Sequence, residues 1–349
     1  MTLINNMNDL LEIYEVKASD TLSKIGSGIG MTGDEVRDFH NANCEQHGMM
    51  YFNSLIGIEK IILPKNHKSA VQIKKENTDS VPAKILSPEF YAETYEVVES
   101  YESDFENKLE INYTLDIQLT KIEENQVKSF AASVHCYNFQ KNGEKPDDKM
   151  SELSIACAQS IAPIQFYISS EGKVSGISHF ENLLKTFEEK RKDLEDFYIG
   201  EVSKKYMDKF AEGLSNKEYF EKQLSSTLLY QVLFPRMTWF HKYDVWKDEF
   251  YLVKNSFPLN CVFKAEFIHL DEEQIQTGIK GEIEDNISLQ ELLKGRKFEE
   301  EPDEPLVGVV ELKYTTEKNT KQLLSAEAGI ALLHEGEIYR KQKIKLSKI

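Results

Sequence analysis

Tyr14-Glu15-Val16-Lys17-Ala18-Ser19-Asp20-Thr21-Leu22-Ser23-Lys24-Ile25 opens the stretch that decides how the N-terminal part folds; Thr32-Gly33-Asp34-Glu35-Val36 continues it and Ile61-Ile62-Leu63-Pro64 closes it. Tyr14 and Val16 alternate with Glu15 and Lys17, the period of a short strand with one buried face. Asp20 offers an N-cap, and Leu22 and Ile25 follow at helical spacing, so a short helix is expected there, ended by Gly26, Gly28 and Gly30. Thr32 and Glu35 have the spacing of a capping box, in which hydroxyl and carboxylate satisfy each other's backbone donors. Val36 and Phe39 would face inward from that second helix. Ile61 and Leu63 form the returning strand, which Pro64 stops.

A strand, two short helices and a strand, with Asp20-Thr21-Leu22 at the first turn, resemble the LysM family over residues 14–64. The resemblance implies a two-stranded antiparallel sheet with both helices on one side. It also implies binding of N-acetylglucosamine glycans, peptidoglycan or a chitin-like polymer, in a groove between two turns. Carried onto this chain, the groove would have Ser19, Asp20, Thr21 and Leu22 on one side and Leu55, Ile56, Gly57 and Ile58 on the other. Ser19 stands where the family usually has glycine, and Gly57-Ile58 where it usually has Pro-Gly. Residues 41–52, with Cys44, His47, Met49 and Met50, exceed the usual loop length. An enlarged apolar loop beside the groove favours docking to protein over sugar, with Met49 and Met50 as interface residues.

The rest of the chain narrows the functional classes. At 349 residues and 40% hydrophobic content it can bury more than one core. Its formal net charge of -17 opposes a nucleic-acid partner, because phosphate binding needs a basic face. The start of the chain lacks the basic and apolar pattern of a signal peptide, and no apolar run reaches the length of a membrane span. The four cysteines, Cys44, Cys136, Cys157 and Cys261, form no Cys-x-x-Cys pair and suit buried free thiols in a reducing compartment. The expectation is a cytoplasmic protein, exported, if at all, by a specialised secretion machine.

Residues 1–13 are expected to be a tail and 65–84 a polar linker. Beyond it, Leu109, Ile111, Tyr113, Leu115, Ile117 and Leu119 alternate with polar residues, the pattern of a half-buried antiparallel strand. The segment 130–139 continues the theme, and Leu153, Ile155 and Cys157 are expected to mark another strand. Ser169-Ser170-Glu171-Gly172 has the composition of a hairpin turn. Ser178 to Glu181 and Ser215 to Glu218 have capping-box spacing before long helical patterns, the first broken by Gly213 and the second ended before Pro235. Strands return in 261–268 and around Ile275, Ile279 and Ile283. Ser288 to Glu291 caps a short helix, and 298–305 is an acidic loop. Three strands follow, the last two joined at His334-Glu335-Gly336. The expectation is α+β: a βααβ module, then residues 85–349 with strands in 90–177, helices in 178–234 and strands in 239–349.

No phosphate-binding glycine loop, dinucleotide fingerprint or nucleophile elbow occurs, and His334-Glu335 lacks the second histidine of a zinc-protease helix. His135, Cys136 and Cys157 could meet in space, though the two thiols suit core packing. The aromatic cluster from Trp239 to Trp246 suits either a core hinge or an interface. No cofactor or metal is expected. The composite expectation is a non-catalytic adaptor docked by its LysM-like module onto a larger protein assembly. LysM modules without export signals resemble those in phage-tail-like contractile machines, including type VI secretion apparatus, which implies a spike, baseplate or effector-loading role. The alternative is a peptidoglycan binder that delivers the C-terminal region to the cell wall.

Overall fold

The computed structural model describes residues 11–65, 70–103, 106–124, 127–299, 302 and 304–349. It divides into two compact units, one ending at Asp79 and one running from Ser80 to Ile349. The first ten residues, the segment 66–69 of the expected linker and much of the acidic run within 298–305 lie outside the described residues.

In the first unit, β1 (Leu11–Glu15) pairs antiparallel with β2 (Lys60–Pro64), and α1 (Leu22–Ile29) and α2 (Gly33–Asn43) lie between them in sequence. The order βααβ is therefore as expected. Leu22, Ile25, Val36, Met50, Ile61 and Leu63 form its core, with Tyr14 and Val16 packed against it. The capping box forms: Glu35 N–H donates to Thr32 Oγ1 at 3.2 Å, and Thr32 N–H donates to Glu35 Oε2 at 2.7 Å. Two details differ. Thr21, not Asp20, caps α1, and Gly26 and Gly28 lie inside α1, which ends at the left-handed Gly30. The position after Phe39 carries the burial: His40 is buried while Phe39 is half-exposed.

A helix, α3 (Ala70–Ser80), occupies most of the expected linker. Gln72, Lys74, Lys75 and Glu76 are good helix formers without a clear apolar stripe, so periodicity alone does not reveal it.

The second unit is built on one eleven-stranded, wholly antiparallel sheet. Its first half is β3 (Thr94–Ser103), β4 (Glu106–Glu124), β5 (Val127–Lys141), β6 (Ile164–Ser169) and β7 (Val174–Ile177). Its second half is β8 (Trp246–Phe250), β9 (Leu259–His269), β10 (Gln274–Ile283), β11 (Val307–Glu317), β12 (Leu323–His334) and β13 (Glu337–Lys348). Each half is a meander in chain order, and the two join where the first strand of one, β3, pairs with the last strand of the other, β13. Between the halves run α5 (Phe180–Phe197), α6 (Glu201–Ser215), α7 (Lys217–Ser225) and α8 (Leu228–Leu233), whose apolar faces share one continuous core with one face of the sheet. A short helix, α9 (Leu289–Lys294), carries the expected capping box between Ser288 and Glu291.

The α+β class stands, with four local corrections. Leu153 and Cys157 lie on a helix, α4 (Lys149–Ser160), capped by Asp148, whose Oδ1 accepts from Ser151 N–H at 2.8 Å. The long helical pattern after Ser178 breaks at Gly200, φ +128°, not at Gly213, which lies within α6. His179, in the left-handed region, precedes α5 without a side-chain cap, so the expected capping box is not made. Asn216 alone caps α7, accepting from Tyr219 N–H at 3.0 Å.

Candidate functional site

The two turns predicted to form the groove do emerge from the same end of the small sheet. Val16 N–H donates to the Glu59 carbonyl at 2.9 Å, one step beyond the Glu15 and Lys60 pair. Residues 17–21 leave one strand there and residues 55–58 lead into the other.

The residues within those turns divide by role. Asp20 Oδ2 accepts from Lys17 N–H and from the Tyr14 hydroxyl, both at 2.9 Å, and only 6% of its side chain is exposed. Those two bonds hold the Asp20 carboxyl below its ordinary range. Its oxygens thus close the turn that launches α1. Thr21 Oγ1 accepts from Lys24 N–H at 3.2 Å, and Leu22 is in the core. Ser19 is exposed and carries no such duty through its side chain. Across from them, Ile58 N–H donates to the Leu55 carbonyl at 3.1 Å, with Gly57 at φ +80° in the third position of the turn. That conformation favours glycine and explains its presence without any ligand. Leu55 and Ile58 pack on the module core, whereas Ile56 is 93% exposed.

The insert 41–52 is held rigidly by the end of α2. Asn41 clasps Met50 at both ends: its Nδ2 donates to the Met50 carbonyl and its Oδ1 accepts from Met50 N–H, each at 2.7 Å. His40 accepts from Ile62 N–H at Nδ1, 2.9 Å, which leaves Nε2 to donate to the Gly48 carbonyl at 3.0 Å. The imidazole is therefore a tie between helix, insert and β2. Met50, expected at an interface, is 4% exposed and belongs to the core; Met49 is partly exposed. What the clasp presents instead is Tyr51 and Phe52, 78% and 79% exposed, followed by Ile56. The adjacent aromatic pair in an over-long loop was the available signal for them.

Trp239 and Trp246 are core residues and not an interface. Both are buried and stand against Phe263, and Trp239 Nε1 donates to Asp248 Oδ2 at 3.0 Å. Asp248 in turn pairs with Arg236 at 2.9 Å. A satisfied N–H and an apolar ring account for the burial of Trp239, while the Trp246 Nε1 is buried without a hydrogen-bond partner among the described residues.

The chemistry elsewhere is sparse. Cys136 and Cys157 are pushed up to about 12 and about 11 by burial, so both are thiols near neutral pH, the unreactive form. His135 Nε2 meets Gln159 Oε1 at 3.1 Å, and Gln159 also donates to the Cys136 carbonyl, so that trio fastens α4 to β5. Glu304, His334 and Glu335 bring one ligand atom each within 4.8 Å of the others, all three at least partly exposed. Among the described residues no helix is long and apolar enough to cross a membrane.

Fold and surface together define a two-unit α+β protein: a small βααβ unit with exposed apolar side chains on a clasped loop, and a large antiparallel sheet lined by helices. No protein-family profile matches the chain, and no curated protein matches it in sequence.

Proposed function

We propose that this chain is a non-catalytic adaptor whose N-terminal module docks it onto a protein partner in a larger assembly. The observation that carries the reading is the exposure of Tyr51, Phe52 and Ile56 on a loop that Asn41 and His40 hold in place. Large apolar side chains on a preorganised frame lose little freedom on binding and are the usual anchors of protein interfaces. The groove positions argue the same way. Asp20, Thr21 and Leu22 are engaged inside the module, which leaves few polar groups free to grip the hydroxyls and acetamido groups of a sugar. By its resemblance to LysM modules of contractile injection machines, a spike, baseplate or effector-loading partner is the assembly to test first.

Insoluble peptidoglycan and the candidate assembly separate this reading from glycan binding. The full chain should stay in the supernatant of a peptidoglycan pelleting assay and co-purify stoichiometrically with its partner. The triple variant Tyr51→Ser, Phe52→Ser, Ile56→Ser should lose the partner while keeping its thermal melt. Pelleting with peptidoglycan that is abolished by Ser19 and Thr21 substitutions, and untouched by the triple variant, would overturn docking in favour of the glycan.

A further inference from the structure

On the inner face of the large sheet, the residue pattern changes character along two neighbouring strands. β3 presents Tyr95, Val97, Glu99 and Tyr101 to this face, and β13 presents Leu346, Ile344, Gln342 and Arg340. The beginning of each series is buried and packed in the common core. Each series then turns polar, ending in a carboxylate and a phenol on β3 and an amide and a guanidinium on β13. Polar groups on a core-facing surface are costly unless something satisfies them.

The space beside them is open. A cavity of about 790 Å³ lies between β3–β5 and the helices α4, α6, α7 and α8, and a second of about 220 Å³ lies under α8 and residues 251–254. Both are lined by Glu99, Leu229, Tyr230 and Lys254, so they adjoin at those residues. Ile111, Val134, Ile155, Ile161, Phe210 and Leu224 form an apolar wall in the larger one, and Arg340 and Gln342 line the smaller. The larger volume alone falls within the range of roughly 300–1,000 Å³ typical of small-molecule sites.

The hydrogen bonds decide what such a ligand must offer. Both Glu99 oxygens are occupied, accepting from the Tyr101 hydroxyl at 2.5 Å and the Tyr113 hydroxyl at 2.6 Å. The Lys254 ammonium, the Arg340 guanidinium and the Tyr230 hydroxyl make no hydrogen bond or ion pair to any described residue. Lys254 is an exposed residue that lines both cavities; partial burial of its ammonium lowers it from the ordinary lysine value, with Glu99 acting in the opposite direction. Two cations thus face one carboxylate that two phenols already engage, and a hydrocarbon wall adjoins them.

We infer that the adjoining cavities bind a single-chain amphiphile with an anionic head, the head on Lys254, Arg340 and Tyr230 and the acyl chain along the apolar wall. A carboxylate and a phosphate share that head chemistry. Lys254 and Arg340 outnumber the single lining carboxylate, Glu99, which disfavours a cationic head, and the apolar wall favours a hydrocarbon tail.

Calorimetric titration of delipidated full-length protein tests this with three ligands: palmitate, palmitoyl lysophosphatidate and the uncharged hexadecanol. One equivalent of an anionic ligand should bind, with hexadecanol at least about tenfold weaker. The tighter of the two anions names the head. Each methylene removed from the chain should weaken binding roughly fourfold. Lys254→Met and Arg340→Met should each abolish the preference over hexadecanol. Ala158→Trp, whose accessible side chain lines the larger cavity, should block all three ligands while leaving the thermal melt unchanged. Absence of saturable binding, equal affinity for hexadecanol, indifference to chain length, or wild-type binding by both Met variants would each overturn the proposal.

Discussion

Asn41→Ala tests whether the exposed aromatic loop is a preorganised surface or an incidental one. The side chain makes two hydrogen bonds to one residue, Met50, both at 2.7 Å, and Met50 itself is 4% exposed. Each bond contributes about 0.5–1.5 kcal/mol net, and removing the amide leaves a peptide N–H and a carbonyl half-buried without a partner, so the local cost should be about 2 kcal/mol. If opening of the insert is a local event, that cost appears as a roughly 30-fold faster hydrogen exchange of the Met50 amide, spreading to the peptides that carry Tyr51 and Phe52. Hydrogen-exchange mass spectrometry on the full chain reads this directly, with the β4 and β12 amides of the second unit as internal controls. The docking partner should then bind more weakly although no contact residue has changed. An unchanged Met50 exchange rate would refute the clasp. Faster exchange with unaltered partner binding would show that the loop's rigidity contributes nothing to docking.

Gly26→Ala should destabilise the first unit by about 1–3 kcal/mol, since the added Cβ would stand 2.3 Å from the Met31 carbonyl oxygen and backbone must shift to admit it; a thermal or denaturant melt of the full chain measures it. Gly28→Ala, with open space around its Cβ, is the matched control and should be neutral or mildly stabilising. In native protein at pH 8, Cys44 should be alkylated first, because Cys157 and Cys261 are fully buried and pushed up to about 11 and about 12, while Cys136, also about 12, follows slowly; peptide mapping after a pulse of iodoacetamide gives the order. Asp20 has a folded-state value depressed below its ordinary 3.8, so its stabilising effect is present above that value and lost as pH falls through the folded one. Asp20→Asn should flatten the acid-side dependence of the first unit's stability, read as the slope of its melting temperature below about pH 4.

The module was largely legible because its signals are local. Tyr14 and Val16 alternate, Thr32 and Glu35 cap, and Pro64 stops, each within a few residues of the structure it dictates. Asp20 shows the limit of such reading. An aspartate before an amphipathic run is a good N-cap candidate. Here Tyr14, six residues upstream, supplies a hydroxyl and Lys17 a backbone donor, so the carboxylate closes the preceding turn and Thr21 takes over the cap. In the large unit, Leu153, Ile155 and Cys157 satisfied a strand period while Leu153 and Cys157 also satisfied a helical one. Burial decides between them: Leu153 and Cys157 are fully buried and Ile155 is not. Asp148 followed by Ser151 was the local sign that favoured the helix.

The cavity was illegible for a deeper reason. Alternation assigns a strand's faces from its apolar residues, and a polar residue at the end of the series is taken for the end of burial. On β3 the inward series from Tyr95 to Val97 passes into Glu99 and Tyr101, and only the pairing of β3 with β13, more than two hundred residues away in the chain, shows that Gln342 and Arg340 share that face. Two polar tips that look like fraying strand ends in sequence become a lined chamber once the two meanders join. Lys254 adds to the same surplus from a loop whose position depends on α8 and β9, so no periodicity could announce it. Inward polarity that adjoins an apolar wall and comes from three distant segments is hard to retain on stability grounds alone, because replacing it by apolar side chains would remove the desolvation cost. A ligand that satisfies those donors supplies the missing physical reason for keeping them there.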